Sequence, residues 1–135
     1  MDEELQRIRE KKLREMEEHL HGSGDTGAVQ IVSSANFQQM LANSPLLVID
    51  FWAEWCGPCR MVAPVIEELS RKYAGIITFA KCNTDENPRL AGGFGISAIP
   101  TIILFRNGKI ADTIVGAHPK NSLDARMRKV FSLSG

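Results

Sequence analysis

Apolar positions recur along this chain with two different periods. Between residues 2 and 20, Leu5, Ile8, Leu13, Met16 and Leu20 fall on one side of a 3.6-residue repeat amid charged neighbours, which predicts an amphipathic helix. "HGSGDTG", residues 21–27, has three glycines among small polar residues, the composition of a flexible linker. Residues 1–27 therefore read as an N-terminal arm, and residues 28–135 as the domain.

Inside the domain the pattern shortens and alternates. "AVQIV" predicts a short strand, and Ser33 or Ser34 is placed to cap a helix through "ANFQQMLA". "PLLVIDFWA" is apolar with almost no alternation, as in a strand covered on both faces. Pro58 suits a first helical turn, where its missing N–H costs nothing; "VAPVIEELSRKYA" continues that helix, with a kink expected at Pro64. "IITFAKCN" reads as a strand and "NPRLAGGF" as a short helix weakened by its glycines. "TIILFRNGKIADTIV" is two strand-like runs around Asn107-Gly108, a two-residue hairpin signal. A last helix through "NSLDARMRKVFS" turns Leu123, Met127, Val130 and Phe131 inward. This alternation predicts an α/β domain, a mostly parallel sheet flanked by helices with an antiparallel edge from the hairpin.

Composition narrows the function. With 135 residues, 44% of them hydrophobic, the chain has room for one packed core rather than two. Its formal charge is zero and no block is strongly basic, so nucleic acid is not expected as a partner. The N-terminus lacks the apolar stretch of a signal peptide, and no run reaches the ~20 apolar residues of a membrane span. Three cysteines, Cys56, Cys59 and Cys82, are an odd number and too few for a disulfide-stapled secreted scaffold. A soluble cytoplasmic protein follows, and paired cysteines in a reducing compartment imply active thiols or a metal.

Cys56 and Cys59 fall at the start of the helix after the covered strand, three residues apart and hence neighbours on one face. The helix N-terminus favours thiolate over thiol, making Cys56, at the outer end, the natural nucleophile. A disulfide closing so short a loop gains only about 2 kcal/mol from chain entropy. A weakly stabilising, partly exposed bond of this kind is suited to being made and broken. The rival is half a zinc site, but the remaining ligand candidates, Cys82, His19, His21 and His118, form no second pair. Asp50, between apolar neighbours, should have its pKa raised toward neutrality, where it can take the proton of Cys59. A plain ion pair of Asp50 with Lys81 on the next strand is the alternative, and both roles can hold together. Cys82 reads as a small core residue, with a regulatory or dimer-forming thiol as the other possibility.

"FWAEWCGPCR", the acid in the preceding strand, the helix proline, "AIPT" and the hairpin "NGK" together resemble the thioredoxin family over about residues 28–133. The resemblance implies the thioredoxin fold, a central mixed sheet of about five strands flanked by helices. It makes Cys56 the attacking thiolate, Cys59 the resolving thiol, and Asp50 with Lys81 the buried pair that handles protons. Ile99-Pro100 resembles the family's cis-proline segment, which offers backbone hydrogen bonds to an extended substrate. Trp55, Gly57, Pro58 and Gly116 look like further edges of that substrate groove, and Trp52 like the packing tryptophan behind it. The implied activity is protein-disulfide reduction with no bound cofactor, electrons coming from NADPH through a flavoprotein thioredoxin reductase. The implied clients are disulfide-containing proteins such as reductases and peroxiredoxins. Gly57-Pro58 adds no positive charge between the cysteines, which favours a reductant over an oxidising relative. An interaction or chaperone module without turnover is the alternative. The arm is not part of the minimal family domain; a solvated helix, self-association or partner docking through residues 1–20 are its candidate roles, and its mixed charge disfavours membrane binding.

Overall fold

The computed structural model describes residues 27–133 and five positions near the N-terminus, Glu3, Glu4, Gln6, Arg7 and Arg9, which are helical and exposed. The arm's apolar stripe, residues 21–26 of its linker, His19 and His21 lie outside the described residues.

The elements run β1 (Gln30–Ile31), α1 (Phe37–Asn43), β2 (Leu46–Trp52), α2 (Gly57–Lys72), β3 (Thr78–Asn83), α3 (Pro88–Gly93), β4 (Thr101–Arg106), β5 (Lys109–Val115) and α4 (Lys120–Val130). They form one five-stranded sheet in the order β1-β3-β2-β4-β5. β1 and β2 both run parallel to β3, while β4 is antiparallel to β2 and β5 to β4. The expected antiparallel edge is thus broader than the sequence implied. The hairpin supplies two strands, and β4 is interior and buried along its length except at Arg106. Its tip follows the sequence signal: Asn107 (φ 52°) and Gly108 (φ 81°) both take the positive φ that a tight primed turn requires.

The first helix starts later than a Ser33 or Ser34 cap would place it. Ser33 Oγ accepts from the Ala35 N–H at 3.2 Å, and Asn36 Oδ1 accepts from the Ser33 N–H at 2.7 Å. These short polar side chains satisfy the backbone of a separate turn, and α1 begins only at Phe37. By contrast, α2 runs unbroken through Pro64, which sits on its exposed side, where solvent can reach the carbonyl left without a donor.

Period-two alternation in the covered strands builds an apolar layer on each face of the one sheet. Val48, Ile102, Leu104 and Ile114 pack beneath α2 and α4 with Val62, Ile66, Leu69, Leu123, Met127 and Phe131. Leu47, Ile49, Phe51, Ile103 and Phe105 face the other way, toward Phe37 of α1 and the α3 region. There Phe94 meets Phe37 and Phe105 edge to face, with centroids 5.4 and 5.7 Å apart. Asp50 shares the parity of Val48 and so lies on the α2 side of the sheet. Cys82 belongs to the opposite layer, fully buried.

Asp124 fastens α4 to the end of α2. Its carboxylate accepts from the buried Tyr73 hydroxyl and from Lys72 Nζ. Burial alone would raise the Asp124 pKa, but these two donors and the nearby Arg128 hold it below its usual value. The contribution is therefore full above the ordinary carboxylate range and lost on acidification through the lowered folded pKa. Asp124→Ala leaves the Tyr73 hydroxyl buried without its acceptor and is expected to cost about 1–3 kcal/mol in urea denaturation at neutral pH. Disulfide reduction per folded molecule should not change; a loss below about 0.5 kcal/mol would mean the link is solvated.

Candidate active site

β2 ends at Trp52, and the chain turns through Ala53–Cys56 into α2. Cys56 is the N-cap residue in an extended conformation, and Pro58 occupies the first turn. Cys56 and Cys59 are joined as a disulfide, their Cα atoms 5.3 Å apart. The Cys59 N–H donates to Cys56 Sγ at 3.2 Å, so one of the free N–H groups of the first helical turn points at the outer sulfur. That arrangement, with the positive end of the helix, stabilises negative charge on Cys56 when the bond is open.

The pair is less exposed than the sequence suggested, at 4% for Cys56 and 3% for Cys59. Trp52, Ala53 and Ile99 close around them, while Trp55, Gly57 and Pro58 form the exposed rim. Access to the disulfide is accordingly through a narrow approach rather than from open solvent.

Asp50 lies in the middle of the sheet, 4% exposed. Its Oδ1 makes no hydrogen bond among the described residues. Burial pushes its pKa from 3.8 up to about 7, and the charge of Lys81 pulls it partly back. Lys81 is its register partner on β3, but it forms no ion pair with Asp50 within contact distance among the described residues. Its ammonium stands 5.5 Å from the Trp52 ring centroid and acts on Asp50 through space. A direct ion pair is thus not what holds the acid.

The Ile99-Pro100 bond is cis. The Ile99 carbonyl oxygen lies 3.7 Å from Cys56 Sγ, and the Gly116 N–H donates to the Pro100 carbonyl at 2.8 Å, tying the end of β5 to this segment. Trp55, 70% exposed, donates its indole N–H to Asp85 at 2.9 Å. On the other side of the loop, the Arg60 guanidinium donates to the Glu54 carbonyl at 2.7 Å. The active-site loop is braced from both flanks. A cavity of about 400 Å³ opens beside it, lined by Trp55, Thr84, Ile96, Ser97, Ala98 and Ile99.

The structure therefore gathers Trp55, Cys56, Gly57, Pro58, Cys59, Ile99, Pro100 and Gly116 around one disulfide, with Asp50 and Lys81 on the adjoining sheet face. Sequence reasoning missed Arg60, Thr84, Asp85, Ile96 and Ser97. Asp85 and Arg60 reach the loop through side-chain hydrogen bonds that no periodicity announces. Cys82 sits on the far face of the sheet, with its thiol pushed up to about 11 by burial, so it serves as a core side chain. It is not brought together with the pair as a zinc site would require, and no cluster of three or more metal-ligating side chains occurs among the described residues.

Comparison with known proteins agrees with this geometry. The family model described as Thioredoxin matches residues 28–129. A thioredoxin of Nostoc is 45% identical over 77% of this chain and 97% of its own length. An M-type chloroplastic thioredoxin of Pisum sativum is 46% identical over 82% of this chain, which spans 64% of the pea protein. The crystal structure of Malassezia sympodialis thioredoxin superposes with a TM-score of 0.70 at 41% identity, covering 78% of this chain and 92% of that one. A disulfide-bonded Cys-X-X-Cys pair at a helix start, on this fold and among these relatives, identifies the chemistry as thiol–disulfide exchange, and the chain belongs to the thioredoxin family of protein-disulfide reductases.

Proposed function

We propose that the reduced protein attacks client disulfides through Cys56 and is released by Cys59. The Cys56 thiolate forms a bond to one sulfur of the client as the client's own S–S bond breaks, and the departing thiolate takes a proton. The Cys59 thiol then gives its proton to the Asp50 carboxylate and attacks Cys56 Sγ. This expels the second client sulfur as a thiolate, which is protonated in turn. Two electrons pass to the client, and the protein is left with the Cys56–Cys59 disulfide. Lys81 moderates the Asp50 pKa, keeping the carboxylate available near neutrality.

The client segment lies extended beside Ile99-Pro100, bordered by Trp55, Gly57, Pro58 and Gly116. The observation that supports this reading is the Cys56 sulfur held at the N-terminus of α2 beside the Ile99 carbonyl. The clients are disulfide-bearing proteins, reductases and peroxiredoxins among them. Oxidised protein is reset by NADPH through a flavoprotein thioredoxin reductase in the cytoplasm; the chloroplastic name of the pea relative makes a plastid donor the competing source. Among the described residues no helix is long and apolar enough to cross a membrane. Residues 28–135 form the catalytic domain, and residues 1–27 are an appended arm whose apolar stripe supports self-association or partner docking.

Insulin reduction tests this reading. With NADPH and a flavoprotein thioredoxin reductase, the protein should precipitate insulin B chain catalytically. Activity with dithiothreitol but not with that reductase would move the electron source elsewhere. No acceleration with either reductant would overturn the reductase reading.

A further inference from the structure

His118 has no part in the exchange chemistry, yet it stands at the groove. Val115 pairs with Thr101 at the last rung of the β4–β5 ladder, and Gly116, the next residue, bonds the Pro100 carbonyl. The chain then doubles back so that His118 Nε2 lies 2.9 Å from the Val115 carbonyl oxygen. A carbonyl oxygen only accepts, so Nε2 carries the proton and donates. In the neutral form of the ring this bond selects one tautomer and leaves the lone pair of Nδ1 uncommitted. His118 is exposed and makes no other hydrogen bond among the described residues.

Gly116 shows where the ring stands. A Cβ built on Gly116 (φ 97°) would meet only His118 Nε2, at 3.9 Å. The space that a side chain there would fill is otherwise open, with the imidazole as its wall. A client group passing over Gly116 therefore comes up against this ring.

We propose that His118 is a specificity-determining residue that accepts a hydrogen bond at Nδ1 from a donor side chain of the client, such as lysine, flanking the reactive disulfide. This rests on the client groove described above. Because the contact lies away from the sulfurs, it acts on client binding and leaves the exchange step alone.

Synthetic peptides carrying one disulfide, with lysine, norleucine or glutamate placed in turn at each flanking position, test the proposal. At one position lysine should give the wild type a KM lower than norleucine by about tenfold, the low end of what a hydrogen bond from a charged group is worth, with kcat unchanged. His118→Leu should erase that difference, and His118→Gln, whose amide oxygen can accept, should restore part of it. Reduction of 5,5′-dithiobis(2-nitrobenzoic acid), which has no flanking peptide, should be the same in all three proteins. A lysine preference that survives His118→Leu, or a preference for glutamate at that position, overturns the proposal; so does an equal slowing of the small disulfide, which would mark His118 as merely structural. If the wild type gains nothing from any flanking residue, the groove reading itself fails. If it gains from flanks without regard to His118, only this inference does.

Discussion

Cys56→Ser is expected to abolish turnover of protein disulfides, lowering the rate by about a thousandfold or more, because a serine hydroxyl at neutral pH is neither ionised nor a competent partner for sulfur exchange. Cys59→Ser should behave differently. Its Cys56 thiolate is intact, so the first attack proceeds, but no second thiol expels the client, and the protein stalls after one event. Insulin turnover should vanish in both variants, while a single-turnover burst of released client thiol appears only in Cys59→Ser. The difference follows from position: Cys56 receives a first-turn helix N–H and lies against Ile99, whereas Cys59 is within the first turn of α2. A burst from Cys56→Ser instead would reverse the two roles.

Asp50→Asn should alter both stability and chemistry. The folded pKa of about 7 stands above the unfolded value near 3.8. From about pH 4 to pH 7 the native protein keeps a proton that the unfolded chain has released, so stability falls as pH rises through that window. The gap corresponds to on the order of 4 kcal/mol at neutral pH and above, at about 1.36 kcal/mol per pH unit. Asparagine cannot ionise. The variant should match the wild type in denaturant unfolding near about pH 4 and exceed it near about pH 8 by most of that amount. Equal stabilities at both pH values would mean that the carboxylate is solvated or paired after all.

The same substitution should slow release of the mixed disulfide and leave the first attack less affected. In the wild type, release should quicken as pH rises through about 7, when the carboxylate form becomes available; in Asp50→Asn that rise should be absent. The acid thus costs stability near neutral pH at a position where a hydrophobic residue would pack well, the pattern expected of a functional group in a core.

Much of this was legible because the strongest signals were local. The unbroken apolar run around Asp50 announced a strand covered on both faces, and β2 is one. Pro58 announced the helix start, and Asn107-Gly108 the hairpin. Features decided by tertiary contact were not legible. Nothing in "TIILF" says that β4 would sit inside the sheet rather than at its border, because a doubly covered strand reads the same in either place. Asn36 prevailed over Ser33 and Ser34 in organising the turn before α1, a competition between short polar side chains that composition cannot rank. Gly57 and Pro58 are exposed, but the sulfurs beside them are not, because Trp52 and Ile99, distant from each other in sequence, close over them. Asp85 and Arg60 likewise act through contacts that exist only once β3 and α2 flank the loop.

The most direct test of the exchange mechanism is to react Cys59→Ser with a disulfide-bearing client, digest the product without reductant and map the cross-link by mass. The expected result is one client chain bound through Cys56, released by dithiothreitol. A cross-link through Cys82, or none at all from a protein that is folded and keeps a free Cys56 thiol, would contradict the assignment of the attacking sulfur.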